Sequence, residues 1–163
     1  MLSLQAVQGD SVVAVVTNVV ICASSVALFL YWFRYSCMLI LAAKTSYDHS
    51  EEVASTNQLV FPEVRARLQE QPATNLNSLH RCLERDYVLI NYLLEHTPAS
   101  GGESRTEVAM LKLHYRVMSA WYRLTWRFLR ESASEALEEM LLVVVHLANV
   151  IGERAPVAAA GRV

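Results

Sequence analysis

From Ser11 to Phe33 the chain runs 23 residues without a charged side chain. As an α-helix, at about 1.5 Å per residue, this stretch is roughly 34 Å long, enough to cross the hydrocarbon core of a bilayer. A buried helix of a soluble domain seldom stays uncharged for that long, because one of its faces usually meets water. The stretch therefore predicts a transmembrane helix with a juxtamembrane extension over 11–43, after a short N-terminal segment, 1–10. Composition agrees: 53% of the 163 residues are hydrophobic and mean hydropathy is +0.24 with 18% charged residues, so the apolar residues are unevenly placed.

A cleaved export signal is the rival reading. It wants a basic start, a short apolar centre and small residues at the cleavage point. Residues 1–10, MLSLQAVQGD, hold no Lys or Arg, and the apolar run continues through LFLYWF beyond the small residues of ICASSVA. VVIC also lacks the small residues a lipoprotein box places before its Cys. The expectation is an uncleaved anchor. Its only charge on the N-terminal side is Asp10, whereas Arg34, Lys44, Arg65 and Arg67 follow it. Positive residues stay on the cytoplasmic side, which places the N-terminus outside and the bulk of the chain in the cytoplasm. Tyr31, Trp32, Arg34 and Tyr35 form the expected interface anchors, with aromatic rings at headgroup depth. The apolar CMLILAA (37–43) leaves two readings of Arg34: a snorkelling residue at the membrane edge, or part of a protein contact beyond it.

The three cysteines, Cys22, Cys37 and Cys82, include no CxxC and no secreted-type framework. Residues 44–74 read as a polar junction with one short helix, FPEVRARLQEQP, opened by Pro62 and ended by Pro72. A bundle domain is expected over 75–154, with a C-terminal tail over 155–163. Its first long helix lies within 75–98, where Leu76, Leu79, Leu83, Tyr87, Ile90 and Leu94 recur at steps of three and four; Pro98 and SGG end it. The next opens on a capping box, Ser104 with Glu107, and runs to about Arg130, with Leu111, Tyr115, Met118, Tyr122, Thr125 and Leu129 inward. The last opens on Ser132 and Glu135, turns Leu137, Leu141, Val144, Ala148 and Ile151 to one face, and finishes at Gly152 and RAP.

The fold class is thus all-α: one N-terminal transmembrane helix, then a small antiparallel bundle of three long helices plus one short helix. Residues 105–130 hold six basic residues and one acidic, and 131–153 hold five acidic residues and no basic one, so these two helices are expected to pair. The segment MLLVVVHLANVI (140–151) is apolar nearly all round. It lies at the centre of the domain or meets something else.

Three constellations bear on function. Ala14, Asn18, Cys22 and Ser25 share one face of the span, with a small-xxx-small step, Ala23 and Ala27, beside it. Small and amide residues permit close approach and interhelical hydrogen bonds in lipid, so this face predicts contact with a partner span. The span contains no His, which excludes haem or chlorophyll ligation by a span histidine; Asn18 is the one weak pigment ligand there. Next, His80 and Glu84 lie one turn apart near Tyr87, with His114 and His146 on the other helices. Helical di-metal sites need Glu-x-x-His on paired helices, and none occurs. No GxSxG, phosphate loop or HExxH occurs either. His49 and His96 read as structural or solvated, the latter well placed at a helix C-terminus. The third constellation is a basic stripe, Lys112, Arg116, Arg123, Arg127 and Arg130, interleaved with Trp121 and Trp126. It fits a solvated face paired with the acidic helix, a contact with anionic headgroups or an acidic subunit, or nucleic acid. Residues 44–163 balance 13 basic against 15 acidic residues, which argues against a general polyanion binder.

These features lead to a non-catalytic, single-pass membrane subunit without cofactor or metal. It would dock on or stabilise a larger membrane protein complex, such as an energy-transducing or photosynthetic assembly, a transporter or a secretion system. The expected partners are other membrane subunits and the lipid bilayer, with no nucleic acid and no small-molecule substrate evident. The alternatives are a membrane-tethered adaptor or regulatory module for a soluble partner, and a helical metal-binding protein or enzyme.

Overall fold

The computed structural model describes residues 2–42, 48–70, 75–97 and 105–160. These form six helices and no strand: α1 (Leu2–Ala42), α2 (Ser50–Asn57), α3 (Phe61–Glu70), α4 (Leu76–His96), α5 (Arg105–Thr125) and α6 (Arg130–Ala160). The chain divides between Leu39 and Ile40 into two compact units.

The first unit is a helix. Among the described residues, Val13–Ala42 is the one stretch long and apolar enough to cross a membrane, and none of its most apolar 18-residue window is buried. The helix already begins at Leu2, so residues before Ser11 continue it rather than forming a separate segment. Thr17 Oγ1 donates to the Val13 carbonyl and Ser24 Oγ to that of Val20, both at 2.8 Å. Such returns to the i−4 carbonyl let a hydroxyl sit in lipid without a lost hydrogen bond.

The second unit is organised around α6. All of α2, α3, α4 and α5 pack on it. That explains MLLVVVHLANVI. Besides Leu137, Leu141, Val144, Ala148 and Ile151, the residues Met140, Val143, Leu147 and Val150 are buried, so the helix buries most of its circumference rather than one stripe. The expected pairing of α5 with α6 is observed. Yet the exposed Arg123 pairs with Glu84 on α4 at 2.8 Å, and Glu139 of α6 is buried 3.2 Å from His114 of α5. Burial, rather than surface charge, holds that pair together.

α4 carries the six expected inward residues, all buried. No Cα of α4 comes within 8 Å of one of α5, however. Aromatic rings fill the gap: Tyr87 stacks on Tyr115 at 3.6 Å between ring centres, and His80 on Tyr122 at 4.3 Å. The bundle is therefore two helices on a central third, bridged by ring pairs, with two short helices along it.

Four sequence expectations change. The junction contains a second short helix, α2, which opens where Asp48 Oδ1 accepts the Ser50 backbone N–H at 3.0 Å and its hydroxyl at 2.6 Å. These bonds hold the Asp48 carboxyl below its usual range. α5 stops at Thr125, not Arg130: the N–H groups of Phe128 and Leu129 both return to the Thr125 carbonyl, at 2.9 and 2.8 Å, and close a tight turn. Consequently α6 starts at Arg130 and Ser132 is already helical, so Ser132 and Glu135 are not a capping box; the first helical bond runs from the Ala133 N–H to the Leu129 carbonyl. Finally, Gly152 does not end α6, which continues to Ala160. The glycine instead permits a close approach. A Cβ there would collide with the His49 Cβ and lie 3.1 Å from its Cγ, so the missing side chain lets α6 meet the start of α2. Ser104, Pro72, Pro98, SGG and Lys44 lie outside the described residues.

Candidate functional site

Three places carry the residues singled out from the sequence. The first is the outer face of α1. A shallow groove runs between two i, i+4 ridges, Asn18–Cys22–Val26–Leu30 and Val19–Ala23–Ala27. Grooves of this kind receive the ridge of a second helix. Asn18 and Cys22 line it, while Ala14 and Ser25 lie outside it. Ala23 and Ala27 keep one of the two ridges low, so the small-xxx-small step lines the groove. Further along α1, Tyr31, Trp32, Arg34 and Tyr35 are exposed, and Trp32 meets Tyr35 edge-on at 6.4 Å.

The second is a groove of about 490 Å³ between α4 and α5, bordered by Glu84, Tyr87, Tyr115, Arg116, Ser119 and Arg123. Below it, Ser119 Oγ lies 3.3 Å from His80 Nε2, and Glu84 Oε2 lies 4.0 Å from His80 Nδ1. The order hydroxyl, imidazole, carboxylate is that of a nucleophile relay. The backbone around it differs. Ser119 sits in the middle of α5, where the neighbouring N–H groups belong to the helix ladder, so no backbone pair is free to act as an oxyanion hole. Burial, with Arg123 adding to it against Glu84, pushes the His80 pKa below its usual value. A neutral His80 therefore lies flat on Tyr122. Tyr115 is buried with its hydroxyl unpartnered among the described residues, and burial raises its pKa.

The third place is the α5–α6 turn. The structure splits the basic-aromatic stripe in two. Lys112, Arg116 and Arg123 follow the α4 side of α5, whereas Trp121, Trp126, Arg127 and Arg130 gather at the turn. The Arg127 guanidinium lies 5.3 Å from the Trp126 ring centre, a cation–π contact. Phe128 is 84% exposed, and Trp121, Leu124, Trp126 and Leu129 are between 40% and 69% exposed. Leu129, expected inward, is thus outward, because the helix ends four residues before it. Phe128 and Leu124 were missed as site residues; the only sequence signal was that WRFLR places bulky apolar groups between arginines.

Two further residues emerged only in three dimensions. Asp86 of α4 is buried and accepts the Val60 N–H at 2.7 Å at the start of α3. Arg154 of α6 is buried and donates to the Leu94 carbonyl at 3.4 Å at the end of α4. An anion thus meets a helix N-terminus and a cation a helix C-terminus, both from neighbouring helices. Among the described residues no three His, Cys, Asp or Glu side chains gather as a metal site. No protein-family model, curated protein or solved structure matches the chain.

Proposed function

We propose that this chain is a non-catalytic, single-pass membrane subunit that docks on a larger membrane protein complex through α1 and the helical domain. The observation that carries this reading is the α1 groove. It is largely apolar and lined by Ala23, Ala27 and Asn18. Thr17 and Ser24 satisfy their hydroxyls within the helix, but the Asn18 side chain has no such bond among the described residues. An amide in hydrocarbon is costly until a second helix supplies its partners. In the proposed topology the N-terminus is outside and the domain cytoplasmic. A hydrocarbon core of about 30 Å measured from Val13 ends near Arg34, which accords with the Tyr31, Trp32 and Tyr35 rings as its inner border.

Extraction in mild detergent followed by mass spectrometry of the intact assembly tests the reading. A stoichiometric complex is expected, and Asn18→Leu with Ala23→Leu and Ala27→Leu should release the subunit from it. Recovery of the unaltered chain as a monomer would refute the proposal. The groove between α4 and α5 favours the second reading, a tethered adaptor for a soluble partner. That reading predicts a complex that survives these α1 substitutions and is lost with Arg116→Glu.

A further inference from the structure

The α5–α6 turn projects five large apolar side chains into solvent from a segment of nine residues, Trp121, Leu124, Trp126, Phe128 and Leu129. Single exposed apolar residues are ordinary, but a contiguous cluster of this size marks a surface built to be covered. Among the described residues, none of the five belongs to the buried core. The turn is closed by the Thr125 carbonyl and by the buried Thr125 side chain rather than by these side chains.

From the cluster we infer that the turn is a second, peripheral membrane anchor that inserts into the anionic face of a bilayer. The occupant follows from charge and shape. Residues 121–130 contain three arginines and no acidic residue, although the domain as a whole is slightly acidic. Glu84 pairs with Arg123, leaving Arg127 and Arg130 at the tip, with Glu131 just behind it. Arginine beside tryptophan is the pairing suited to the headgroup layer: the ring lies between water and hydrocarbon, and the guanidinium meets phosphate. Phe128, the most exposed of the five, stands out from the turn. A bilayer accepts such a protruding side chain without a complementary cavity, and of the five only Leu124 borders the groove between α4 and α5. The inference rests on the reading of α1 as a span only in placing the domain beside a membrane.

The experiment uses the full chain in nanodiscs of brominated phosphatidylcholine, alone or mixed with phosphatidylserine. Trp32→Phe with Trp121→Phe leaves Trp126 as the only tryptophan; Trp121→Phe with Trp126→Phe leaves Trp32. With phosphatidylserine present, Trp126 emission should shift to the blue and be quenched by the brominated chains. High salt, or Arg127→Gln with Arg130→Gln, should weaken that insertion about 10- to 30-fold. Phe128→Ser with Leu129→Ser should abolish the quenching while the helical circular dichroism of the chain is retained. Trp126 left unquenched in anionic discs while Trp32 is quenched would overturn the inference and leave the span intact. If Trp32 is unquenched as well, the span reading falls too. Trp126 shielded from aqueous acrylamide yet unaffected by brominated lipid would overturn the inference in favour of a protein partner.

Discussion

Replacing Asp86 by alanine removes the group that closes the start of α3. The carboxylate lies on a different helix, is buried, and accepts the N–H groups of Val60, at 2.7 Å, and Phe61. Without it both donors lose their acceptor. An orphaned buried N–H costs about 1–3 kcal/mol, and Val60, being half-buried, falls at the low end because water reaches it in part. Against this loss stands the relief of a buried charge: burial outweighs both hydrogen bonds and raises the Asp86 pKa. The net expectation is a loss of about 2 kcal/mol. For a domain of this size that corresponds to a fall in melting temperature of roughly 6–10 °C. Asp86→Asn keeps one acceptor oxygen and carries no charge, so it should lose less than half as much. The assay is thermal unfolding of the full chain in mild detergent, followed by near-ultraviolet circular dichroism of the bundle's tyrosines and tryptophans. An Asp86→Ala melting temperature within about 2 °C of the unaltered chain would refute the interhelical cap. Asp86→Asn falling as far as Asp86→Ala would instead show that the charge, not the acceptor, matters.

The remaining predictions follow from burial and close contact. Gly152→Ala should destabilise the bundle by about 1–3 kcal/mol, despite alanine's better helix propensity, because the new Cβ meets the rigid Cβ of His49; an unchanged melting temperature would count against the close approach. Tyr115→Phe should leave stability unchanged or raise it by about 1 kcal/mol, since it deletes a buried, unpartnered hydroxyl and keeps the stack on Tyr87; a loss of more than that would reveal an interaction of the hydroxyl. Because the folded His80 pKa lies below 6.5, the unfolded chain binds the proton more readily. Its contribution to stability is full above about pH 6.5 and is lost as pH falls from there through the folded pKa. His80→Phe, which keeps the stack on Tyr122, should flatten the melting temperature between about pH 7.5 and 5.5; an unaltered slope would assign the effect elsewhere.

Apolar periodicity carried most of the architecture. The spacing of Leu76, Leu79, Leu83, Tyr87, Ile90 and Leu94 fixes the α4 face because a helix brings such residues together every turn, whatever surrounds it. The same logic failed at Leu129, where periodicity cannot register that Thr125 ends the helix by a backbone bond. It failed also for α2, whose SEEVASTN has too few apolar residues to show a face and which forms because α6 covers Val53 and Ala54. Gly152 looked like a stop signal because glycine usually weakens a helix; only a neighbour's position shows that its missing Cβ is needed for contact. Asp86 and Arg154 had no local signature at all. Their partners, Val60 and Leu94, are 26 and 60 residues away in the chain. In the candidate sites, the α1 face was legible in part, since Asn18 and Cys22 line the groove and Ala14 and Ser25 do not. The basic stripe was legible as composition, but its division between groove and turn depends on where α5 ends.

The central position of α6 has a consequence for biosynthesis. α6 follows α2, α3, α4 and α5 in chain order, and every one of them packs on it. While the ribosome is still adding residues 105–130, α3 can pack on α4 and the α5 tyrosines can meet Tyr87 and His80, but the helix on which all of them close is not yet made. The bundle can therefore be completed only once the MLLVVVHLANVI segment emerges. Until then the nascent chain carries open apolar faces, the kind of surface that chaperones cover during synthesis.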